Sequence, residues 1–124
     1  MSWVDFIAVE PPTHDNQEYG KFIYAWMTDP LPNYHFDDRR VLPCCVAVDD
    51  DEALELLNFK NDYECWWWSM AKPGWCIDYC GVSILPTESV RRLADNWREK
   101  APPALIALCD RAARDGKYML VRGV

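Results

Sequence analysis

The chain has 124 residues, 50% apolar and 27% charged, with a formal charge of −7 at pH 7, six cysteines and seven tryptophans. A length close to the commonest domain size supports one globular domain over 1–124, and an aromatic content of 14% excludes intrinsic disorder. The longest charge-free stretches, Tyr79–Thr87 and Ala101–Cys109, hold nine residues each, where a membrane-spanning helix needs roughly 18 or more, so no membrane partner is expected.

Trp3–Val9 is rich in β-branched and aromatic residues and reads as a first strand. No basic residue precedes Lys21, and Asp5 interrupts the early apolar run. That is not the pattern of a secretory signal, and a cytoplasmic protein is expected. A polar loop containing Pro11, Pro12, His14, Asn16 and Gly20 leads to a second strand, Lys21–Met27. Beyond Pro30 and Pro32, Val41–Val48 forms a third apolar run whose Pro43 favours a sheet edge or the start of a strand. Asp49, Asp50 and Asp51 supply an N-cap and first-turn carboxylates to a short helix, Glu52 to about Asn58, with Leu54 and Leu57 on one side.

Tyr63–Met70 and Trp75–Leu85 flank Ala71, Lys72, Pro73 and Gly74, and the Pro-Gly pair fits the centre of a type II turn, so a hairpin is predicted. Pro86 and Thr87 open a helix over about Glu88–Lys100, where Val90, Leu93, Ala94 and Trp97 recur at i, i+3, i+4 and i+7 as a core stripe. Pro102 and Pro103 suit a first helical turn, and Leu105, Ile106, Leu108, Cys109, Ala112 and Ala113 carry a further helix to a C-cap at Gly116. Tyr118–Val121 ends the chain as a strand. This order predicts an α+β fold: a mostly antiparallel sheet of five to six strands with two or three helices packed on one face.

The cysteines read as reduced and mostly apolar. Cys44 and Cys45 are adjacent and point to opposite faces if the segment is extended; Cys65, Cys76, Cys80 and Cys109 sit in apolar stretches. The nearest approach to a zinc pattern is Cys76 with Cys80, which on a strand would be about 13 Å apart, so no metal and no cofactor are expected. His14 and His35 could serve a thiol nucleophile, but nothing in the spacing pairs them with one, and His35 beside Asp37 and Asp38 reads more simply as a solvated loop histidine. A phosphate-cradling glycine loop and a nucleophile elbow are both missing. No catalytic residue is assigned, and a non-enzymatic protein is expected.

Charge and tryptophan are the unusual features. Residues 1–65 carry 14 acids and 4 bases, whereas residues 66–124 carry 6 acids and 9 bases. The excess peaks at Asp49, Asp50, Asp51, Glu52 and Glu55, with Asp37 and Asp38 a short loop upstream. Such a surface repels nucleic acid and attracts basic proteins. Helix capping accounts for some of these acids but not for four in succession. In the run Trp66, Trp67, Trp68, alternation places Trp66 and Trp68 on one face, where an exposed indole would anchor a partner.

The segment Ile84, Leu85, Pro86, Thr87, Glu88, Ser89 leading into an amphipathic helix, together with the ending Gly116, Lys117, Tyr118, Met119, Leu120, Val121, Arg122, Gly123, Val124, resembles the closing half of small cytoplasmic bacterial immunity proteins encoded beside polymorphic or contact-dependent toxins. The resemblance covers roughly the last 45 residues and is one of profile. It implies a protein that covers the active site of a cognate basic toxin domain, with a nuclease as the expected case. It carries over no site residue. The expected interface comes from this chain alone: Asp37, Asp38, Asp49, Asp50, Asp51, Glu52, Glu55, Trp66 and Trp68. The rival readings are a small cytoplasmic enzyme using a Cys or His, and a tryptophan-based ligand or protein interaction module. Oligomeric state is not legible.

Overall fold

The computed structural model describes residues 2–11, 41–42, 45–67 and 76–123. In chain order these form β1 (Trp3–Val9), β2 (Val41–Leu42), β3 (Cys45–Asp49), α1 (Asp50–Leu57), β4 (Trp66–Trp67), β5 (Val82–Leu85), α2 (Thr87–Trp97), α3 (Pro103–Arg114) and β6 (Tyr118–Arg122). The strands lie in the order β2-β3-β1-β6-β5-β4 with every neighbouring pair antiparallel. Four strands have four or more residues, and the two at the edges have two each. The fold is therefore α+β, an antiparallel sheet with three helices, as the patterning predicts. The second expected strand, Lys21–Met27, and the turn at Ala71–Gly74 lie outside the described residues.

The central position of β1 follows from its sequence. Val4 and Phe6 point to one face and Ile7 and Val9 contribute to the other, so both faces of the strand are apolar. Such a strand must be covered on both sides. On the first face, Val4, Phe6, Val46, Val48, Leu85, Met119 and Val121 share a core with the buried residues of all three helices. On the second, Ile7, Val9, Cys45, Val82, Ile84 and Leu120 are buried with Trp66 and Tyr118 packed against them. Asp5 is the charged member of β1; it is 4% exposed and accepts from Arg122 Nη2 at 3.1 Å, across from it on β6.

The stripe Val90, Leu93, Ala94, Trp97 is buried as expected. Trp97 is fully enclosed, meeting the rings of Phe6 and Tyr63 edge to face at 6.1 Å each. Its indole N–H donates to the Lys60 carbonyl at 2.8 Å. The helix ends at Trp97 rather than Lys100. Pro103 occupies the first turn of α3, where a missing N–H costs nothing. The far end closes as a Schellman motif: Gly116 has φ 68°, its N–H reaches Ala113 O at 3.3 Å, and Lys117 N–H reaches Ala112 O at 2.8 Å. Arg98 locks α2 to α3 with a two-pronged pair onto Asp110, 3.0 Å on each prong.

Three local expectations are corrected. Within the expected run Val41–Val48, Val41–Leu42 is a separate strand antiparallel to the one that begins at Cys45, with Leu42 opposite Cys45 and Val41 opposite Val46. β4 and β5 do pair, but Trp66 faces Ile84, whereas a turn centred on Pro73 and Gly74 would set it against Gly81. Cys76–Gly81 is not strand. The cause is turn chemistry: Asp78 Oδ1 accepts from Cys80 N–H at 3.1 Å, Asp78 O accepts from Gly81 N–H at 3.2 Å, and Asp78 N–H donates to Ser83 Oγ at 2.7 Å. The strand geometry that put Cys76 and Cys80 about 13 Å apart therefore does not apply. Cys45, Cys65, Cys76, Cys80 and Cys109 are all unbridged.

Candidate protein interface at the first helix

β3 ends at Asp49, which pairs with Trp3 of β1, and the helix starts at once. Asp50 N–H donates to Ser2 O at 3.1 Å, tying the first turn to the start of β1. Asp49 Oδ1 accepts from Asp51 N–H at 3.0 Å, which makes Asp49 the N-cap among the three aspartates expected to cap and open this helix. Asp50, Asp51 and Glu52 occupy the first turn, where the helix dipole favours negative charge. The helix begins two residues before Glu52, so Asp50 and Asp51 are part of it.

That start sets the phase of α1. Ala53 and Leu56 face the core, Leu57 is half-buried, and Leu54 is 39% exposed. Leu54 and Leu57, expected on one side, differ in exposure, because with the helix capped at Asp49 it is Ala53 and Leu56 that point inward. Asp51, Leu54, Glu55 and Asn58, spaced i, i+3, i+4, i+7, form the outer face. Phe59 follows, 49% exposed, with Lys100 Nζ 4.8 Å above its ring. Leu54 and Phe59 are the exposed large apolar residues among the described residues. Sequence reading missed both as surface groups; the i+3 spacing of Ala53 and Leu56 was the available signal.

Carboxylate oxygens of Asp49, Asp50 and Asp51 come within 4.8 Å of one another. Like charges at that separation repel, and the helix N-terminus offsets only about half a charge. Elsewhere most described acids are matched: Glu88 with Arg91, Asp62 with Arg92, Asp95 and Asp110 with Arg98, Asp115 with Arg114, Glu10 with Lys117, Asp5 with Arg122. Among the described residues no ion pair reaches Asp49, Asp50, Asp51, Glu52 or Glu55. Tyr79 packs at the margin of the core near this cluster; burial first, then the carboxylate of Asp50, pushes its phenol above the usual range.

Of the residues expected to act together, the structure gathers Asp49, Asp50, Asp51, Glu52 and Glu55. Asp37, Asp38, Trp68, His14 and His35 lie outside the described residues. Trp66 is elsewhere: it is half-buried on edge strand β4, packed against the sheet face opposite the helices. Four strand spacings separate β4 from β3, about 19 Å. An indole at Trp66 and the acids of α1 do not form one surface. No helix of the described residues is long and apolar enough to cross a membrane. Compared with known proteins, the chain matches no family model, no curated protein and no solved structure.

Proposed function

We propose that this is a binding module whose α1 face docks a basic protein partner. The observation that carries the reading is the set of five carboxylates without an ion pair at a helix that also carries the exposed Leu54 and leads to the exposed Phe59, in a molecule that pairs most of its other described acids. An isolated charge in water costs little, but a cluster of one sign repels itself and is relieved by a complementary surface. Leu54 and Phe59 then supply the apolar contact that acids alone lack. The narrower form of this reading, which draws on the resemblance of Ile84–Ser89 and Gly116–Val124 to immunity proteins, is a cytoplasmic inhibitor that covers the cationic active site of a cognate toxin domain, a nuclease in the first instance.

The test is binding to the protein encoded beside this gene, measured across a range of salt, for the wild type and for a variant carrying Asp51→Lys and Glu55→Lys. Both residues are exposed, so the fold is retained. The expected result is slower association and a flatter salt dependence, with Leu54→Ser raising the dissociation rate. Unchanged rates and salt slope in the reversed variant would show that the face is an ordinary solvated surface. A tryptophan-based module would instead need the separate surface at Trp66, and loss of binding on Trp66→Ala with α1 variants unaffected would favour it.

A further inference from the structure

Cys65 and Cys76 meet across a sequence separation of 11 residues. Cys65 stands just before β4 and is fully enclosed, and its thiol donates to the Cys76 carbonyl at 2.6 Å. That contact puts the Cys65 sulfur no more than about 5.4 Å from the Cys76 Cα, given the lengths of the C=O and Cα–C bonds. The two Cα atoms of a disulfide are about 4.4–6.8 Å apart, and each sulfur stands within that span of its partner's Cα. The Cys65 sulfur already does so. A second observation places both thiols in one neighbourhood. Burial raises the Tyr63 phenol above its ordinary range, the Ile77 backbone pulls it down, and Cys65 and Cys76 each push it up through charge. Cys65 belongs to the core on the helix side of the sheet and Cys76 packs against it.

The other described cysteines are placed differently. Cys45 lies on the opposite face of the sheet, Cys80 is exposed, and the charges acting on Cys109 are those of Asp110 and Arg98. We propose that Cys65 and Cys76 are a reversible redox pair, oxidised by a small-molecule disulfide to an intramolecular bridge that ties residues 76–81 to the start of β4. Cys76, the partly exposed thiol, gives up its proton and attacks one sulfur of the oxidant; the oxidant's S–S bond breaks and one of its thiols departs with a proton. Cys65 then gives up its proton and attacks Cys76 Sγ, and the second oxidant thiol leaves with that proton. Two protein thiols are oxidised and one disulfide is reduced to two thiols. Burial, then the carboxylate of Asp78, holds the Cys76 thiol above its ordinary range, so the exchange is slow at neutral pH and the pair is read at equilibrium. The inference does not depend on which macromolecule docks at α1.

The probe is glutathione disulfide in a glutathione buffer at about pH 8, where thiolates are available. The whole protein is equilibrated in it, native and in urea, then quenched with acid and mapped by peptide mass. In the native protein a peptide joining Cys65 to Cys76, lighter by two hydrogens, is expected. It should form at least about tenfold more favourably than in urea, because the fold holds the two thiols together. Cys65→Ser should stop with glutathione attached to Cys76, whereas Cys76→Ser should leave the enclosed Cys65 unmodified. Cys80→Ser should leave the bridge as it is. Serine at position 65 keeps a donor for the Cys76 carbonyl, and the comparison of native protein with urea needs no variant. The proposal is overturned if Cys76 pairs with Cys80 or another cysteine instead, if glutathione stays on Cys76 in the wild type, or if the bridge forms no more readily in the native protein than in urea.

Discussion

Trp97 shows how one side chain joins three parts of the molecule. Its ring packs against Phe6 of β1 and against Tyr63, and its N–H satisfies the Lys60 carbonyl. Trp97→Ala should cost about 3–5 kcal/mol, read from the denaturant midpoint. Trp97→Phe should retain most of the packing but leave a carbonyl without its donor, costing about 1–3 kcal/mol. The same enclosure governs the thiols. Burial pushes the Cys109 thiol up to about 12 and also raises Cys76, while Cys80 is exposed. Because the thiolate is the reactive form, among the described cysteines Cys80 should be labelled first by a disulfide reagent at pH 8, and Cys109 only on unfolding. Rapid labelling of Cys109 in the native protein would show that α3 is not seated as described. That Trp97 belongs to the core was legible from its helical spacing. Its bond to Lys60 was not, because a contact across 37 residues leaves no local trace.

At the scale of the element, ends matter more than middles. Gly116 is the C-cap that spacing predicts, and nothing lies within 4 Å of the position a Cβ would take. Gly116→Ala therefore tests backbone strain alone, with an expected loss of about 1–2 kcal/mol. Gly123 is the opposite case. A Cβ there would fall on the Tyr79 carbonyl and break the approach that lets Gly123 N–H reach Gly81 O at 2.7 Å. The α2–α3 pair carries a pH dependence. The hydrogen bond from Arg98 holds the Asp110 carboxyl below its usual range. A group depressed in the folded state stabilises it at neutral pH and loses that contribution as pH falls through the acidic range of the bound carboxyl. Asp110→Asn should be less stable than the wild type at pH 7 and equal to it in strong acid; the difference is small because about half of each side chain is in water. A gap that persists in acid would rule out charge as its source.

For the whole molecule, the division of charge seen along the chain becomes a division of surface. Bases of the C-terminal half find acids close by, on α2, on α3 and across the sheet, whereas the acids at α1 are left to face outward. Because Trp66 and α1 lie about four strand spacings apart on opposite sheet faces, substitutions at the two should act additively on stability, within a few tenths of a kcal/mol. A clear coupling energy would mean that the sheet transmits strain between its edges. The α+β class, the presence of the three helices, the C-cap at Gly116, the core stripe of α2 and the acidity of α1 were determined by the sequence alone, because caps, turn glycines and apolar periodicity act over a few residues. Only the tertiary structure decided which side of α1 faces water, that β1 is buried on both faces, and that Trp66 and the acids part company. Each of those depends on which distant segments share a face, and that is set by packing rather than by any neighbour in the chain.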